Sequence, residues 1–583
     1  MCGIFGVTSL NENALDNAHN ALHTLEHRGP DGWDFIHENE VYLGHRRLSI
    51  LDLSENGKQP MMKDGVYLTV NGEIYNFKEL NNILSEKHDV KFKSGSDSET
   101  ILHGYIHWGI EELLNKIEGM FAFSIYDSTT GEIHIARDHV GIKPLYYSLQ
   151  NDGFSWGSEL KALESFYGKI NLNIDYTAVY DFLSYLHVPS PKSLYQNIFK
   201  LEPAHFATFN IKDGSFNKKR YWQLPVNRHI KDVNEAKDFI QKAIKDEVKS
   251  HLVSDVPVGT FLSGGVDSSI VSYEVSRLIE SLTTCSIGFD DARVDESHFA
   301  RLVAEKIGSN HITKNMDHNA VNENFELLKE LYDEPFGDTS AFPAYAVSKL
   351  ASENMTVVLT GDGADEIFGG YTPYKKWYMA LTPWVGFLAP IRPLITFVKN
   401  AELGIMSRLA RGAEIFAIWD PLERKQRLGG ALLKTDTFKK EFRTKYNIPE
   451  DYDELWYLKQ YYRKDLPLKS RYMYLDFHTT MTDGILCKVD RASMACSIET
   501  RVPFLSKRVI EAAWQIDENV LFLDGELKGL LKSMYADKLP TECLYRRKQG
   551  FSLGRTQKGD KLHLDGKHLP LRILSELFSE DVS

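Results

Sequence analysis

The sequence has few cysteines, no long apolar run and no excess of positive charge. Its five cysteines form no CxxC pair, which argues against a disulfide framework and is typical of a reduced compartment. The most apolar stretch, 384–398, contains two prolines and an arginine and is shorter than the roughly 20 residues of a membrane-spanning helix. A net charge of −13 argues against nucleic acid or an anionic membrane as the main partner. With no signal peptide recognisable, we expect a cytoplasmic protein.

The chain is too long for one hydrophobic core, since it has 583 residues, and its pattern changes near residue 225. Residues 1–210 alternate short apolar runs with turns and a few helical stretches, which predicts an α+β domain built as an αββα sandwich. Residues 225–551 alternate helices with compact β-branched runs, which predicts an α/β domain with a parallel sheet and a helical extension from about 375. The tail at 552–583 stays unassigned.

The individual elements follow from apolar periodicity. Alternating or compact apolar runs predict strands at 4–10, 41–43, 66–70, 121–126, 133–136, 256–262, 282–289 and 356–360. Apolar residues at helical spacing predict helices at 14–25, 98–108, 234–253, 266–280, 296–307, 321–332 and 340–353.

A glycine-rich bend, SGGVDSS at 263–269, separates a predicted strand from a predicted helix. Paired glycines allow a tight turn, and the N–H groups of the first helical turn favour an anion. No lysine follows the glycines, so this is not the GxxxxGK[ST] loop, and Asp267 suits a divalent cation held between a carboxylate and phosphates. The bend resembles the SGGxDS pyrophosphate loop of enzymes that cleave ATP to AMP and pyrophosphate. The alternative is a glycine turn inside the core.

A second candidate centre lies at the N-terminus, where Cys2 follows the initiator methionine. Removal of Met1 leaves an α-amine with a pKa of about 7.7–8.0, which can accept the thiol proton. This is the N-terminal nucleophile arrangement. Three polar clusters that end apolar runs suit an amino acid amide substrate: RLSI at 47–50, NGEIYN at 71–76 and GSDSE at 95–99. Each cluster alone is also compatible with a capped turn.

With these clusters, the first 200 residues resemble the class II glutamine amidotransferases. The other matching motifs are MCGIFG at 1–6, HRGPDG at 27–32, GMFAF at 119–123 and RDHVGIKPLYY at 137–147. The resemblance implies that Cys2 attacks the side-chain amide of glutamine and that Asn71 and Gly72 form the oxyanion hole. The residues it implies for glutamine binding are Arg47, Leu48, Ser49, Ile50, Leu51, Asn71, Gly72, Glu73 and Asp97.

An ammonia source joined to a pyrophosphate loop resembles the glutamine-hydrolysing asparagine synthetases over nearly the full length. The supporting motifs are LTGDGADEIFGGY at 359–371, VDRASMA at 489–495, ETRVPF at 499–504 and RRKQGF at 546–551. The first of them departs from the family's SGEGxDE pattern at Thr360 and Asp362.

The resemblance implies ATP and magnesium as cofactors, and amidation of aspartate through β-aspartyl-AMP. It implies a catalytic role for Asp362, and charge stabilisation on the leaving pyrophosphate by Lys548. Asp267 and Asp365, which follow two strands, are the expected magnesium ligands. The residues implied for the nucleotide are Phe261, Ser263, Gly264, Gly265, Asp267, Ser268, Ile287, Thr360 and Gly361.

Several alternatives stay open. The acceptor could be another carboxylate, such as a sugar acid of a surface polysaccharide, or the chain could be a non-catalytic regulatory homologue. A β-lactam-forming synthetase is disfavoured because Cys2 is present. The expected partners are the small molecules glutamine, aspartate and ATP, and a homodimer is compatible with the sequence. His103 and His107 lie four residues apart on a predicted helix but have no evident third metal ligand.

Overall fold

The computed structural model describes residues 1–8, 14–150, 153–290, 295–316, 330–376, 378–400, 413–414, 417–428, 436–546 and 573–574. The predicted helix at 321–332 lies almost wholly outside these residues. So do the end of the predicted strand 4–10, Lys548 and nearly all of the tail at 552–583.

Within the described residues, two antiparallel sheets come first and a parallel sheet follows. The strands are β1 Gly3–Val7, β2 Gly32–Glu38, β3 Val41–Arg47, β4 Met61–Lys63, β5 Val66–Ile74, β6 Gly119–Asp127, β7 Glu132–Arg137, β8 Tyr146–Gln150, β9 Gly153–Gly157, β10 Ile198–Lys200, β11 His205–Asn210, β12 Phe216–Arg220, β13 Val258–Phe261, β14 Thr283–Phe289, β15 Asn310–Met316, β16 Val357–Leu359 and β17 Glu499–Arg501.

The first eight α-helices are α1 Leu15–His23, α2 Phe77–His88, α3 Ser98–Lys116, α4 Leu160–Tyr167, α5 Tyr176–Tyr185, α6 Val233–Ser250, α7 Val266–Ser276 and α8 Ser297–Ile307. Further described α-helices are Ala341–Ala351, Ala364–Phe368, Thr372–Lys376, Arg392–Asn400, Pro421–Leu428, Asp436–Lys445, Trp456–Gln460, Leu468–Asp476, Cys487–Met494, Lys507–Gln515, Glu518–Leu521, Gly529–Tyr535 and Thr541–Tyr545. A π-helical turn, Phe477–Leu486, precedes Cys487–Met494. No helix among the described residues is long and apolar enough to cross a bilayer.

The N-terminal half is an αββα sandwich, as expected. Its sheets have the strand orders β10-β8-β9-β1-β3-β2 and β12-β11-β7-β6-β5-β4. Because strand side chains alternate between faces, Ala122 of β6 joins the core between the sheets, while Phe121 and Phe123 pack with Ile101 of α3 on the outside. Helices α1, α4 and α5 cover the outer face of the other sheet, where Leu22 packs.

The C-terminal half contains the predicted parallel sheet, with the order β15-β14-β13-β16-β17. Strands β13 and β16 are neighbours, so the two glycine-rich bends that follow them leave the sheet side by side. Strands β15 and β17 were not predicted. The edge strand β15 is largely polar and partly exposed, and β17 has only three residues, so neither carries a clear apolar pattern.

Where an element was predicted, its bounds mostly lie within a few residues of the predicted ones, but strands β2, β4 and β8 to β12 and helices α2, α4 and α5 of the N-terminal half were not predicted. Helix α3 is the clearest difference, because it continues past the predicted end at Trp108 to Lys116. Gly109, with φ of +73°, kinks the helix at that point, and the chain then resumes a helical turn.

Candidate active sites

Cys2 lies buried at the start of β1, between the two halves of the molecule. Its backbone N–H donates to Asn71 Oδ1 at 3.1 Å, and its Sγ lies 3.9 Å from the carbonyl oxygen of Leu48. Burial raises the pKa of the Cys2 thiol, and the positive charge of the adjacent N-terminus partly opposes that shift. The ammonium of Met1 is itself buried and donates to Glu499 Oε2 at 2.8 Å.

The two expected oxyanion donors, Asn71 Nδ2 and the Gly72 N–H, belong to β5, and the side chain of Asn71 contacts Cys2. Asn71 is fully buried in β5, and its Nδ2 has no hydrogen-bond partner among the described residues. A Cβ on Gly72 would lie 2.1 Å from the carbonyl oxygen of Met120, so β5 and β6 can pair here only around a glycine. The local geometry therefore suits the predicted oxyanion hole.

Hydrogen bonds to the main chain orient the predicted ligands of the glutamine carboxylate and ammonium, Arg47 and Asp97. Arg47 Nη1 donates to the carbonyl oxygen of Ser54 at 3.0 Å, and its Nη2 contacts that of Asp52, which fixes the guanidinium plane. Asp97 Oδ2 accepts the Ile74 N–H at 2.6 Å, and burial raises the pKa of Asp97 to about 6.

Glu73 is the second buried acid of this region. Burial, reinforced by the neighbouring Asp97, raises the pKa of Glu73 well above its ordinary value. Arg501 Nη2 lies 3.5 Å from Glu73 Oε1 and so brings a cation of the C-terminal half to the predicted glutamine site.

The loop after β3 carries the other residues expected to contact glutamine. Leu48 and Ile50 are buried in the same core cluster as Met1, and Leu51 is partly buried against it. The Ser49 N–H donates to Asp31 Oδ2 at 2.7 Å, which ties this loop to the HRGPDG bend.

A cavity of about 750 Å³ lies beyond the carboxyl ends of β13, β14 and β16. Of the residues predicted for ATP, metal or adenylate chemistry and described here, all but one line it: Phe261, Ser263, Gly265, Asp267, Ser268, Ile287, Thr360, Gly361, Asp362 and Asp365. The exception is Gly264, which has φ of +69° and whose Cβ would lie 2.5 Å from the backbone N of Ala300 in α8. Gly264 therefore permits close packing and does not face the cavity.

The two glycine-rich bends touch one another at the wall of this cavity. Helix α7 begins immediately after Gly265, and Ser263 Oγ and Ser268 Oγ are 3.0 Å apart across the bend. A Cβ on Gly361 would lie 2.7 Å from the backbone N of Ser268. The site thus combines a helix N-terminus with hydroxyl groups, an arrangement that suits a phosphate group.

Lys528 joins the carboxylates that end the two bends. Its ammonium lies 2.5 Å from Asp365 Oδ1 and also bonds Asp267 Oδ2. Burial disfavours the charged lysine, but the two carboxylates outweigh it and raise the pKa of Lys528. Sequence reasoning missed this residue, because it lies in a helical region with no recognisable motif.

A magnesium ion fits the donor set of this pair. Asp267 and Asp365 already share one cation, Lys528, and carboxylate oxygens are ligands that magnesium accepts. Among the described residues no cluster of three or more His, Cys, Asp or Glu side chains could hold a metal, so phosphate oxygens and water would complete the shell. His103 instead contacts Glu99 at 3.4 Å, and His107 stacks on His88.

Two family models match this chain. Residues 1–222 match the glutamine amidotransferase domain, and residues 240–568 match asparagine synthase. A Bacillus subtilis (strain 168) protein named asparagine synthetase [glutamine-hydrolyzing] 1 is 34% identical over 561 residues, covering 94% of this chain and 87% of its own length.

Two further relatives are more distant. Asparagine synthetase [glutamine-hydrolyzing] 3 of the same organism is 28% identical and covers 94% of this chain and 87% of its own. Amidase chry2 of Gibberella zeae is 29% identical over 389 residues, which are 62% of this chain and 56% of that protein. Taken with the asparagine synthase match over more than half of the residues, the first relative shows that this chain is a glutamine-dependent ligase of the asparagine synthase family.

Proposed function

We propose that this enzyme converts aspartate, glutamine, ATP and water to asparagine, glutamate, AMP and pyrophosphate through β-aspartyl-AMP. We assign glutamine hydrolysis to residues 1–210 and the synthetase reaction to 225–551. The observation that carries the proposal is the pair Asp267 and Asp365, held by one buried cation at a cavity lined by a pyrophosphate-type loop. A buried Cys2 with amide donors beside it supplies the reason for a second site in the same chain.

Glutamine hydrolysis would begin at Cys2 after removal of Met1. The freed α-amine accepts the thiol proton, and the thiolate attacks the side-chain amide carbon of glutamine. Asn71 Nδ2 and the Gly72 N–H donate to the oxyanion, and the protonated α-amine returns its proton to the leaving nitrogen as the C–N bond breaks, so that ammonia departs and a thioester remains on Cys2. Water then hydrolyses the thioester to glutamate.

Binding of the amino acid end of glutamine rests on three charged side chains. The Arg47 guanidinium, oriented by the Asp52 and Ser54 carbonyls, can take the α-carboxylate as a fork. Asp97 and Glu73 are buried acids with raised pKa values, so an incoming ammonium relieves the unfavourable burial of their negative charge.

In the cavity beyond β13, β14 and β16, Asp267 and Asp365 would hold magnesium, which when bound neutralises charge on the phosphate oxygens. Lys528 holds a proton between the same carboxylates and can turn its ammonium toward the departing pyrophosphate. We assign this role to Lys528 beside the one proposed for Lys548. Asp362 lines the same cavity and is our candidate for promoting β-aspartyl-AMP formation.

Ammonia would pass between the sites through apolar surroundings. Leu48 and Met120 of the N-terminal half belong to the same core cluster as Leu262 and Leu359 beside the nucleotide loops. Neutral ammonia is compatible with such a path, whereas ammonium is not, because a bare charge is costly to bury.

The test is a pyrophosphate-release assay of the full chain with ATP, magnesium and either glutamine or ammonium chloride. Aspartate, glutamate and a uronic acid serve as candidate acceptors. Cys2→Ala should abolish synthesis from glutamine and preserve synthesis from ammonia, whereas Asp267→Ala should abolish both. Failure of aspartate while another acid supports pyrophosphate release would refute the assigned acceptor, and glutamine-dependent activity in Cys2→Ala would refute the assigned nucleophile.

A further inference from the structure

The fully buried Arg28 of the HRGPDG motif connects the nucleophile residue to the C-terminal half. Its Nε donates to the carbonyl oxygen of Cys2 at 3.1 Å, and its Nη1 donates to Glu159 Oε1 at 2.6 Å. Its Nη1 and Nη2 also donate to the two carboxylate oxygens of Asp490, at 2.8 and 3.1 Å. The main chain of Cys2 is therefore held by a guanidinium whose plane a carboxylate of the other half fixes in a bidentate pair.

Asp490 belongs to a segment that also borders the nucleotide cavity. It lies on the helix Cys487–Met494, in which Lys488 and Val489 line that cavity, as does Ile485 of the preceding turn. One short helical stretch therefore forms part of the wall of one site and fixes an anchor of the other.

The surrounding charges hold this arrangement in place. Arg491 Nη1 lies 2.6 Å from Glu159 Oε1, and Lys161 lies 3.2 Å from both Glu159 and Asp333. Burial disfavours the charged form of Asp490, but Arg28 outweighs it and lowers the pKa of that carboxyl. A buried, paired and hydrogen-bonded cluster has few alternative arrangements, since any unpaired member would be costly.

This anchor matters because Cys2 becomes the chain terminus once Met1 is removed. A terminal residue has no preceding peptide to restrain it, so its own main-chain hydrogen bonds set its position. Apart from the strand pairing of β1, the main chain of Cys2 has two described hydrogen bonds. Its N–H donates to Asn71, and its carbonyl oxygen accepts from Arg28.

We propose that Asp490 is a positioning residue for glutamine hydrolysis, which acts through Arg28 to hold the Cys2 main chain in its reactive geometry. The synthetase half thereby supplies part of the glutaminase centre. This inference rests on the proposed function of Cys2, and it extends that function by assigning a role to a residue in the other domain.

The substitution Asp490→Asn tests the inference in the full-length enzyme. It keeps the shape of the side chain and removes the charge that pairs with Arg28. Because a misplacement of about 1 Å can cost about a hundredfold in rate, we expect kcat for glutamine hydrolysis to fall by about that factor. The KM for glutamine should change by less than about threefold, and pyrophosphate release with ammonium chloride should stay within about twofold of the wild type.

Asp483→Asn is the matched control. Asp483 lies on the adjoining π-helical turn, is 4% exposed against 3% for Asp490, and accepts the N–H and Oγ–H of Ser190 from the N-terminal half, both at 2.7 Å. It has no described contact with Arg28. This variant should keep kcat for glutamine hydrolysis within about twofold of the wild type.

The double variant Arg28→Lys with Asp490→Asn distinguishes positioning through Arg28 from a general disturbance of the structure. Adding Asp490→Asn to the Arg28→Lys enzyme should lower kcat for glutamine by less than about twofold, because the bidentate pair between residues 28 and 490 is already lost. Equal losses in Asp490→Asn and Asp483→Asn, a parallel loss of ammonia-dependent synthesis, or additive losses in the double variant would each overturn the inference. If Asp490→Asn does not fold, Arg28→Lys alone must show the selective loss in kcat for glutamine.

Absence of glutamine hydrolysis in the wild type, or its survival in Cys2→Ala, would count against the proposed function instead.

Discussion

Lys528 offers the sharpest test of the nucleotide site, through the substitution Lys528→Met. Methionine keeps most of the side-chain length and, like lysine, is an L residue at the φ of +54° found here, so the backbone requirement is unchanged. The change removes the ammonium shared by Asp267 and Asp365. Loss of one partner from a buried ion pair destabilises by about 3–5 kcal/mol, and the carboxylates are 18% and 19% exposed, so we expect the lower end, about 3 kcal/mol.

The catalytic consequence should be selective. Removing a preorganised group that stabilises developing charge lowers kcat by about 10²- to 10³-fold, and pyrophosphate release should fall by this factor with either glutamine or ammonia. Hydrolysis of glutamine to glutamate should persist, because Lys528 has no described contact with the Cys2 site. Pyrophosphate release within tenfold of the wild type would refute the role assigned to Lys528.

Thermal unfolding provides an independent measurement of the same arrangement. Magnesium without nucleotide should stabilise Lys528→Met more than the wild type, because the lysine no longer competes for the two carboxylates. At about 100 times its Kd the ion would add about 2.7 kcal/mol, nearly offsetting the loss of the lysine. Equal magnesium-induced shifts in the two proteins would show that the carboxylates do not form a common cation site.

Two further substitutions probe the two sites separately. Since burial raises the pKa of Asp97 from 3.8 to about 6, the folded state binds this proton more tightly than the unfolded state, and its contribution to stability is lost as pH rises through that window. Asp97→Asn should therefore unfold at a higher temperature than the wild type at pH 7.5 while raising the KM for glutamine; a lower unfolding temperature would contradict this reasoning. Gly361→Ala should abolish pyrophosphate release and spare glutamine hydrolysis, since its Cβ would lie 2.7 Å from the Ser268 N and force the two bends apart; wild-type pyrophosphate release would show that the bends need not touch.

Much of the fold could be predicted because its elements carry strong local patterns. Strand β13 lies in a mostly apolar run, helix α7 buries Ile270, Val271 and Val275, and a glycine-rich bend joins the two, so both their existence and their order follow from the sequence. Strand β15 escaped prediction because it lies at the sheet edge, where one side needs no apolar residues. The predicted helix ended at Trp108, just before Gly109, because glycine commonly terminates helices; in the structure Gly109 only kinks α3.

For the candidate sites too, residues within one motif could be predicted, whereas contacts between distant segments could not. Sequence motifs and the family resemblance identified ten residues that line the nucleotide cavity, but they also included Gly264, which packs against α8, and they missed Lys528. The sequence motifs containing Arg28 and Asp490 were recognisable, but their pairing was not, because the two residues lie 462 positions apart.

The sequence alone indicated the two proposed chemistries, because each depends on residues that are neighbours in the chain: Cys2 near the N-terminus and the SGGVDSS bend at 263–269. Only the tertiary structure decided how those chemistries are supported. Lys528 between Asp267 and Asp365, and Asp490 behind Arg28, are contacts between distant segments. Charges buried by folding must find partners wherever the fold brings them together, and no local pattern records that requirement.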